Sequence, residues 1–153
     1  MNIEELVVKE LYKKKYHISF GESMTGGLLA STIINVSGAS NVIEKSYITY
    51  SNSAKTEILD VNPSIIQTFT VVSVEVTDAM AKGLFKNTQS EVCATVSGYA
   101  DGYKMGIGKV CYSILYKNNI LHNCVLIKGT RNEVRQKAVS IILKEIYELI
   151  KEK

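Results

Sequence analysis

Residues 16–38, "YHISFGESMTGGLLASTIINVSG", set out a strand, a loop and a helix in that order, and the reading of the loop decides the fold. "YHISF" (16–20) carries aromatic and β-branched residues, as a short strand does. "TGGLLASTIINV" (25–36) suits a helix that starts at two glycines and is closed by Gly38. Between them, "GESMTGGL" (21–28) begins like a phosphate-binding loop. In the G-x-x-x-x-G-K-[ST] pattern, however, a lysine and a hydroxyl residue follow the second glycine, and here Gly27 and Leu28 stand in those places. The stretch is also one residue too long for G-x-S-x-G, the elbow that exposes a nucleophilic serine. The loop therefore poses the question of what Ser23 does between its glycines.

The rest of the chain repeats the alternation of helix and strand. Residues 3–15 place Ile3, Leu6, Val7 and Leu11 at helical spacing, with Lys13-Lys14-Lys15 closing the helix where cations oppose the dipole. "VIEKSYITY" (42–50) reads as a strand that ends at Tyr50, and "SNSAKTEILD" (51–60) as a short helix with Lys55 just over one turn in. Pro63 opens a further turn, and "SVEVTDAMAKGLF" (73–85) is an amphipathic helix with Val76, Met80 and Leu84 inward. The strand "EVCATVS" (91–97) follows, then a glycine-bearing loop over 98–108. "KVCYSILY" (109–116) and "ILHNCVLIK" (120–128) form an antiparallel hairpin around Lys117-Asn118-Asn119. Thr130 and Glu133 make a capping box for a closing helix with Val134, Ala138, Ile141, Ile142 and Leu149 on its buried stripe. The expected fold is α/β, a three-layer α/β/α sandwich on a mixed sheet of about five strands.

Bulk properties narrow the function. At 153 residues, 46% hydrophobic and 22% charged, the chain suits a single domain over 1–153 with a substantial core. A net charge of +3 from 18 basic and 15 acidic residues, scattered along the chain, gives no nucleic-acid footprint. No apolar run approaches the roughly 18 residues of a membrane helix, and "MNIEELVVKE" is too acidic for a secretory signal. The expectation is a cytoplasmic protein with no membrane partner. Cys93, Cys111 and Cys124 are odd in number, lie in apolar runs and form no CxxC, so they read as small buried residues rather than as disulfide or zinc ligands. With only His17 and His122 present, a histidine metal site and a Ser-His-Asp triad are poorly supplied.

Ser23 precedes a helix start, where a serine hydroxyl commonly caps free backbone N–H groups. The alternative is a site in which those N–H groups and the positive helix end face an anion or oxyanion, with Gly26 and Gly27 leaving the backbone approachable. A nucleophilic serine needs a base. Histidine being scarce, the candidate is a lysine whose pKa is depressed, with a tyrosine hydroxyl to relay or orient the proton. Lys55 and Tyr50, at a strand-to-helix junction, are placed to turn toward the same loop.

"GESMTGGLLASTI", "SGAS", "YITYSNSAKTEIL", "VVSVEVTDAMAKG" and "GTRNEVRQKA" resemble, in order and spacing over about residues 3–150, the CinA carboxy-terminal-domain family, the nicotinamide-nucleotide amidases. The resemblance implies an α/β/α, anticodon-binding-domain-like fold. It also implies deamidation of nicotinamide mononucleotide to nicotinic acid mononucleotide and ammonia, with a serine, a tyrosine and a lysine and without metal or other cofactor. It assigns Ser23 as nucleophile with Tyr50 and Lys55 as proton-handling partners. Glu22, Thr25, Gly26, Gly27, Ser40 and Gly98 fall in the substrate-binding positions, Ser40 against the phosphate. A small-molecule nucleotide partner and a homodimer are further implications, and functions that need the amino-terminal domain of longer members are not expected. The sequence departs from the family pattern at Met24, where cysteine is usual, and at Thr70, where glycine is expected. It departs most over 98–108, which is shorter, lacks prolines and carries Tyr99, Asp101 and Tyr103. Those departures leave a second reading, a non-catalytic nucleotide-binding or assembly domain.

Overall fold

A capping box between Asn2 and Glu5 starts helix α1 (Ile3–Lys14) in the computed structural model, which describes residues 1–151. Lys13 and Lys14 lie in its last turn and Lys15 is the left-handed cap, as the basic run predicts. The deciding stretch becomes strand β1 (Ile18–Glu22), a tight turn and helix α2 (Leu28–Ile34). The helix begins three residues later than anticipated because Gly26 and Gly27 have φ of 58° and 100°, outside the helical region. There follow β2 (Ile43–Ile48), α3 (Asn52–Leu59), α4 (Pro63–Phe69), α5 (Val74–Thr88), β3 (Val92–Lys104), β4 (Ile107–Tyr116), β5 (Asn119–Lys128) and α6 (Arg131–Ile150).

The strands form one sheet in the order β2-β1-β3-β4-β5. β1 pairs parallel with β2 and β3, whereas β3–β4 and β4–β5 are antiparallel. Helices α1, α2 and α6 cover one face, around Val7, Leu11, Phe20, Leu29, Ile114 and Ile142. Helices α3, α4 and α5 cover the other, around Leu59, Val76, Met80, Leu84 and Cys93. Two apolar clusters on opposite faces are the signature of the expected three layers. Along α6, Val134, Ala138 and Ile142 are buried as read, but the stripe continues through Leu143, Ile146 and Ile150, leaving Ile141 and Leu149 only partly covered.

Two expectations are corrected. The segment 98–108 is not an open loop: β3 runs on to Lys104 and β4 resumes at Ile107, making a long hairpin whose register shifts between Tyr99 and Lys104. Its glycines mark close backbone approach within a strand pair. A Cβ on Gly98 would stand 2.7 Å from the Lys109 carbonyl oxygen, and one on Gly108 2.7 Å from that of Tyr99. The cysteines are also not all free. Cys111 and Cys124 are direct partners across β4 and β5, with Cα atoms 4.0 Å apart, and are joined as a disulfide, while Cys93 stays a buried thiol. Strand pairing brings together residues that no spacing rule connects.

Thr70, where glycine was expected, has φ 68° and ψ 159°, a conformation that only glycine adopts without strain. Thr70→Gly is therefore expected to raise unfolding stability by about 1 kcal/mol, the relief of strain exceeding glycine's entropy cost. Urea denaturation of the two proteins checks this, and equal midpoints would contradict it. Among the described residues no helix is long and apolar enough to cross a membrane.

Candidate active site

The parallel strands β1 and β2 end side by side, and the segments leaving them carry the chemistry. Thr49 N–H donates to the Glu22 carbonyl at 2.7 Å, tying the two strand ends together. From β1 the chain turns through residues 23–27; from β2 it enters α3, whose cap Ser51 accepts from Ala54 N–H at 3.0 Å. Helix α3 is drawn tightly inward by two glycines. A Cβ on Gly83 of α5 would collide with the Leu59 carbonyl, and one on Gly21 of β1 would stand 3.0 Å from Leu59 Cδ1. This approach sinks Lys55 completely below the surface.

Lys55 Nζ lies 3.1 Å from Ser23 Oγ and donates to the carbonyls of Thr49 at 2.8 Å and Tyr50 at 3.2 Å. Burial without an acidic partner lowers its pKa from 10.5 to about 8. Near neutral pH about one molecule in ten then carries the free amine. A neutral amine has two N–H bonds and one lone pair; with the two carbonyls taking the N–H bonds, the lone pair is left for the Ser23 hydroxyl. The pair can thus remove a proton from Ser23, 6% exposed, without a histidine.

Glu22 has a different place from the substrate contact expected of it. It is fully buried, and its Oε1 accepts from Thr25 Oγ1 at 2.6 Å, Gly27 N–H at 3.1 Å and Leu29 N–H at 2.9 Å, while Oε2 accepts from Ala30 N–H at 3.0 Å. The protein's own carboxylate therefore occupies the start of α2, where an external anion was anticipated. Thr25 Oγ1 and the Gly27 amide are engaged with it. Removing the carboxylate strands four donors at a largely buried helix end, so Glu22→Ala is expected to cost about 3 kcal/mol, and Glu22→Gln, which retains one oxygen, about half of that. Equal denaturation midpoints for wild type and Glu22→Ala would refute the capping role.

Tyr50 is brought to the site by its carbonyl rather than its phenol. The ring is 59% exposed, and its hydroxyl accepts from Arg131 Nη2 at 3.1 Å. Arg131 also donates from Nη1 to Asp101 Oδ1 at 2.7 Å, and these contacts, Tyr50 first, raise the guanidinium pKa. Ser40 is not brought to the site. It lies exposed in a single 3-10 turn, Ala39–Asn41, that leads into the start of β2, beside Ile18 at the beginning of β1. Ser23 follows the end of β1, so the two serines lie at opposite ends of a five-residue strand about 16 Å long. Gly98 backs the loop instead of lining it openly: a Cβ there would press on Met24 Cγ at 3.1 Å.

Two residues that the sequence reading left without a role prove to shape the site. Arg135 donates from Nε to the Met24 carbonyl and from Nη2 to that of Thr25, both at 2.9 Å, clamping the 23–27 turn to α6. Arg131, one helical turn earlier, sits at the Tyr50 side. The signal for both was the Arg131/Arg135 pair spaced four apart in the first turns of a capped helix, which puts two guanidinium groups on one face. Of the amides in the turn, those of Gly26 and Leu28 are taken by the carbonyls of Ser23 and Thr25 and that of Gly27 by Glu22, while those of Ser23, Met24 and Thr25 have no acceptor among the described residues.

Comparison with known proteins agrees with this architecture. A CinA-like protein of Petrotoga mobilis is 35% identical over 157 residues, 99% of this chain and 39% of its own length. One from Fervidobacterium nodosum is 36% identical over 143 residues, 91% of this chain and 35% of its own length. The chain thus spans under two fifths of these two relatives. Among solved structures, the competence/damage inducible protein CihA from Agrobacterium tumefaciens superposes with a TM-score of 0.87 at 28% identity, covering 98% of this chain and 96% of that one. A CinA superfamily protein from Enterobacter cloacae gives 0.90 at 26% identity over 98% and 93%. The CinA C-terminal domain pattern matches residues 1–150, and the chain belongs to that family.

Proposed function

We propose that the chain is an amidohydrolase that deamidates nicotinamide mononucleotide, with Ser23 as nucleophile and Lys55 as its base. The observation that carries this reading is the buried Lys55 amine, held by two carbonyls with its remaining position on Ser23 Oγ. Ser23 Oγ attacks the carboxamide carbon as its proton passes to Lys55 Nζ. The oxygen that gains charge is stabilised by the Met24 and Thr25 amides, two of the donors left in a turn that Arg135 and Glu22 hold rigid. Lys55 then returns the proton to the departing nitrogen, ammonia leaves, and water attacks the acyl-serine by the same route reversed.

The phosphate of the substrate serves as a remote anchor. Arg131 donates to the Tyr50 hydroxyl, and it borders a surface cavity of about 490 Å³ that Asp101, Lys104 and Thr130 also line. Binding energy from a group distant from the reacting carbonyl positions that carbonyl. Arg131→Ala is expected to raise KM about tenfold or more with kcat within about threefold, the pattern of lost anchoring. A fall in kcat at unchanged KM would remove Arg131 from the anchoring role.

The reading is tested by ammonia release from nicotinamide mononucleotide by the purified protein. Release above the uncatalysed background supports it. Calorimetric binding of the mononucleotide without turnover over hours would instead assign the chain as a non-catalytic nucleotide-binding domain.

A further inference from the structure

The face of β4 and β5 that looks toward α5 carries a second chemical cluster, away from Ser23. Ser113 lies opposite His122, and Cys111 opposite Cys124. Residues two apart along a strand share a face, so all four gather where α5 supplies Asp78. Asp78 Oδ1 accepts from Ser113 Oγ at 2.6 Å, and its two oxygens lie 3.0 and 2.9 Å from His122 Nδ1. Ser113 thus bonds the carboxylate rather than the imidazole, and Thr77 Oγ1 stands 2.7 Å from the same hydroxyl. The order required of a serine nucleophile is not made. What the arrangement does provide is an imidazole fixed through Nδ1, with Nε2 left for another partner, on the same face as a disulfide.

The two sulfurs are unequal. Cys111 is fully buried, whereas Cys124 belongs to the exposed part of the edge strand β5. An incoming thiolate therefore meets Cys124 first. The sulfur it displaces is then a buried thiolate, which desolvation disfavours; the buried Cys93 thiol shows the effect, its pKa pushed up to about 11 with desolvation as the largest cause. A proton donor beside the pair relieves that cost.

We propose that Cys111–Cys124 is a reversible exchange site for a dithiol reductant, entered at Cys124, with the His122–Asp78 pair as the proton source for the departing Cys111 sulfur. One thiolate of the reductant attacks Cys124 Sγ, the Cys111–Cys124 bond breaks, and Cys111 leaves and takes a proton from His122, which regains one from water. The second thiol of the reductant then attacks the mixed disulfide, releasing Cys124 as a thiol and closing the reductant's own disulfide. Two electrons pass from the dithiol to the cysteine pair. The other partners of the β4–β5 ladder, from Ile107–Lys128 to Tyr116–Asn119, are paired independently of the sulfur bond, so the fold is expected to survive reduction.

Alkylation with mass readout tests this on the full chain. Protein purified without reductant and alkylated after denaturation is expected to show one reactive thiol, Cys93; three would overturn the proposal. Folded protein exposed to dithiothreitol and then to a maleimide is expected to be labelled at Cys124 ahead of Cys111, with Cys93 untouched. A disulfide that yields to dithiothreitol only once the chain is denatured would mark the bond as purely structural. His122→Gln is expected to slow the native-state reduction about tenfold while leaving the number of thiols in the denatured oxidised protein at one. An unchanged rate would overturn the assigned proton transfer. Neither cysteine belongs to the Ser23 site, so ammonia release reports separately on the amidase reading.

Discussion

Ser23→Ala is expected to lower the rate of ammonia release from nicotinamide mononucleotide by about 10⁴-fold or more, with binding of the mononucleotide changed less than about threefold. The size follows from what the hydroxyl does. In the proposed reaction it forms the bond that divides hydrolysis into two easier steps, and neither the acidic nor the phenolic neighbour is free to replace it: Glu22 is committed to the start of α2, and the Tyr50 hydroxyl is held by Arg131. Alanine removes one oxygen from a 6% exposed position and leaves Lys55 its two carbonyl partners, so the fold is expected to persist. Groups that act as one unit fail together rather than additively. The double variant Ser23→Ala/Lys55→Met is therefore expected to be no slower than Ser23→Ala alone, within about threefold. Equal rates in Ser23→Ala and wild type would eliminate the serine mechanism outright, and a double variant slower by the product of both losses would show that the two residues act independently.

Much of this site was legible before any coordinates because its parts are local signals. The two glycines, the strand before them and the helix after them mark the Ser23 turn, and the Ser51 cap places Lys55 in the second turn of α3. Their meeting across 32 positions follows from β1 and β2 being parallel neighbours. What could not be read is what depends on side-chain direction or on strand register. Tyr50 reads as the last residue of a strand, whereas β2 ends at Ile48 and Tyr50 lies between it and the Ser51 cap; whether its phenol or its carbonyl reaches Lys55 is decided by backbone torsions in that connection. Ser40, like Ser23, lies in a glycine-bearing turn, but it sits at the opposite end of the paired β1 and β2 strands, because a loop entering a parallel strand and one leaving it lie at different ends. The Cys111–Cys124 bond required the pairing frame of β4 and β5, which a shift of one residue would have put on opposite faces. The family resemblance alone places Glu22 among the substrate contacts; only the position of the α2 amides shows that it completes the helix.

Lys55→Met is expected to lower kcat by about 10³-fold and to erase the pH dependence that the wild type shows. The proposed hydrolysis requires the free amine, and burial lowers the Lys55 pKa to about 8. Wild-type kcat is therefore expected to rise close to tenfold per pH unit below about 8 and to level off above it, whereas the methionine variant has no inflection there. Lys55→Arg, which keeps a permanent charge, is expected to be as inactive as Lys55→Met. Stability supplies a readout independent of turnover. The unfolded chain holds the Lys55 proton up to about 10.5 and the folded chain only to about 8, so between those values unfolding takes up a proton and stability increases with pH. Below about 8 the folded protein carries a charged amine cut off from water and bears the full penalty. Methionine is free of that penalty, so the melting temperature of Lys55→Met relative to wild type is expected to be more favourable at pH 6 than at pH 10, even though the Thr49 and Tyr50 carbonyls lose their donor at both. A constant difference across that range would mean that Lys55 titrates alike in the folded and unfolded chain. The amine would then be protonated at neutral pH in nearly every molecule, and Ser23 would be left without its base.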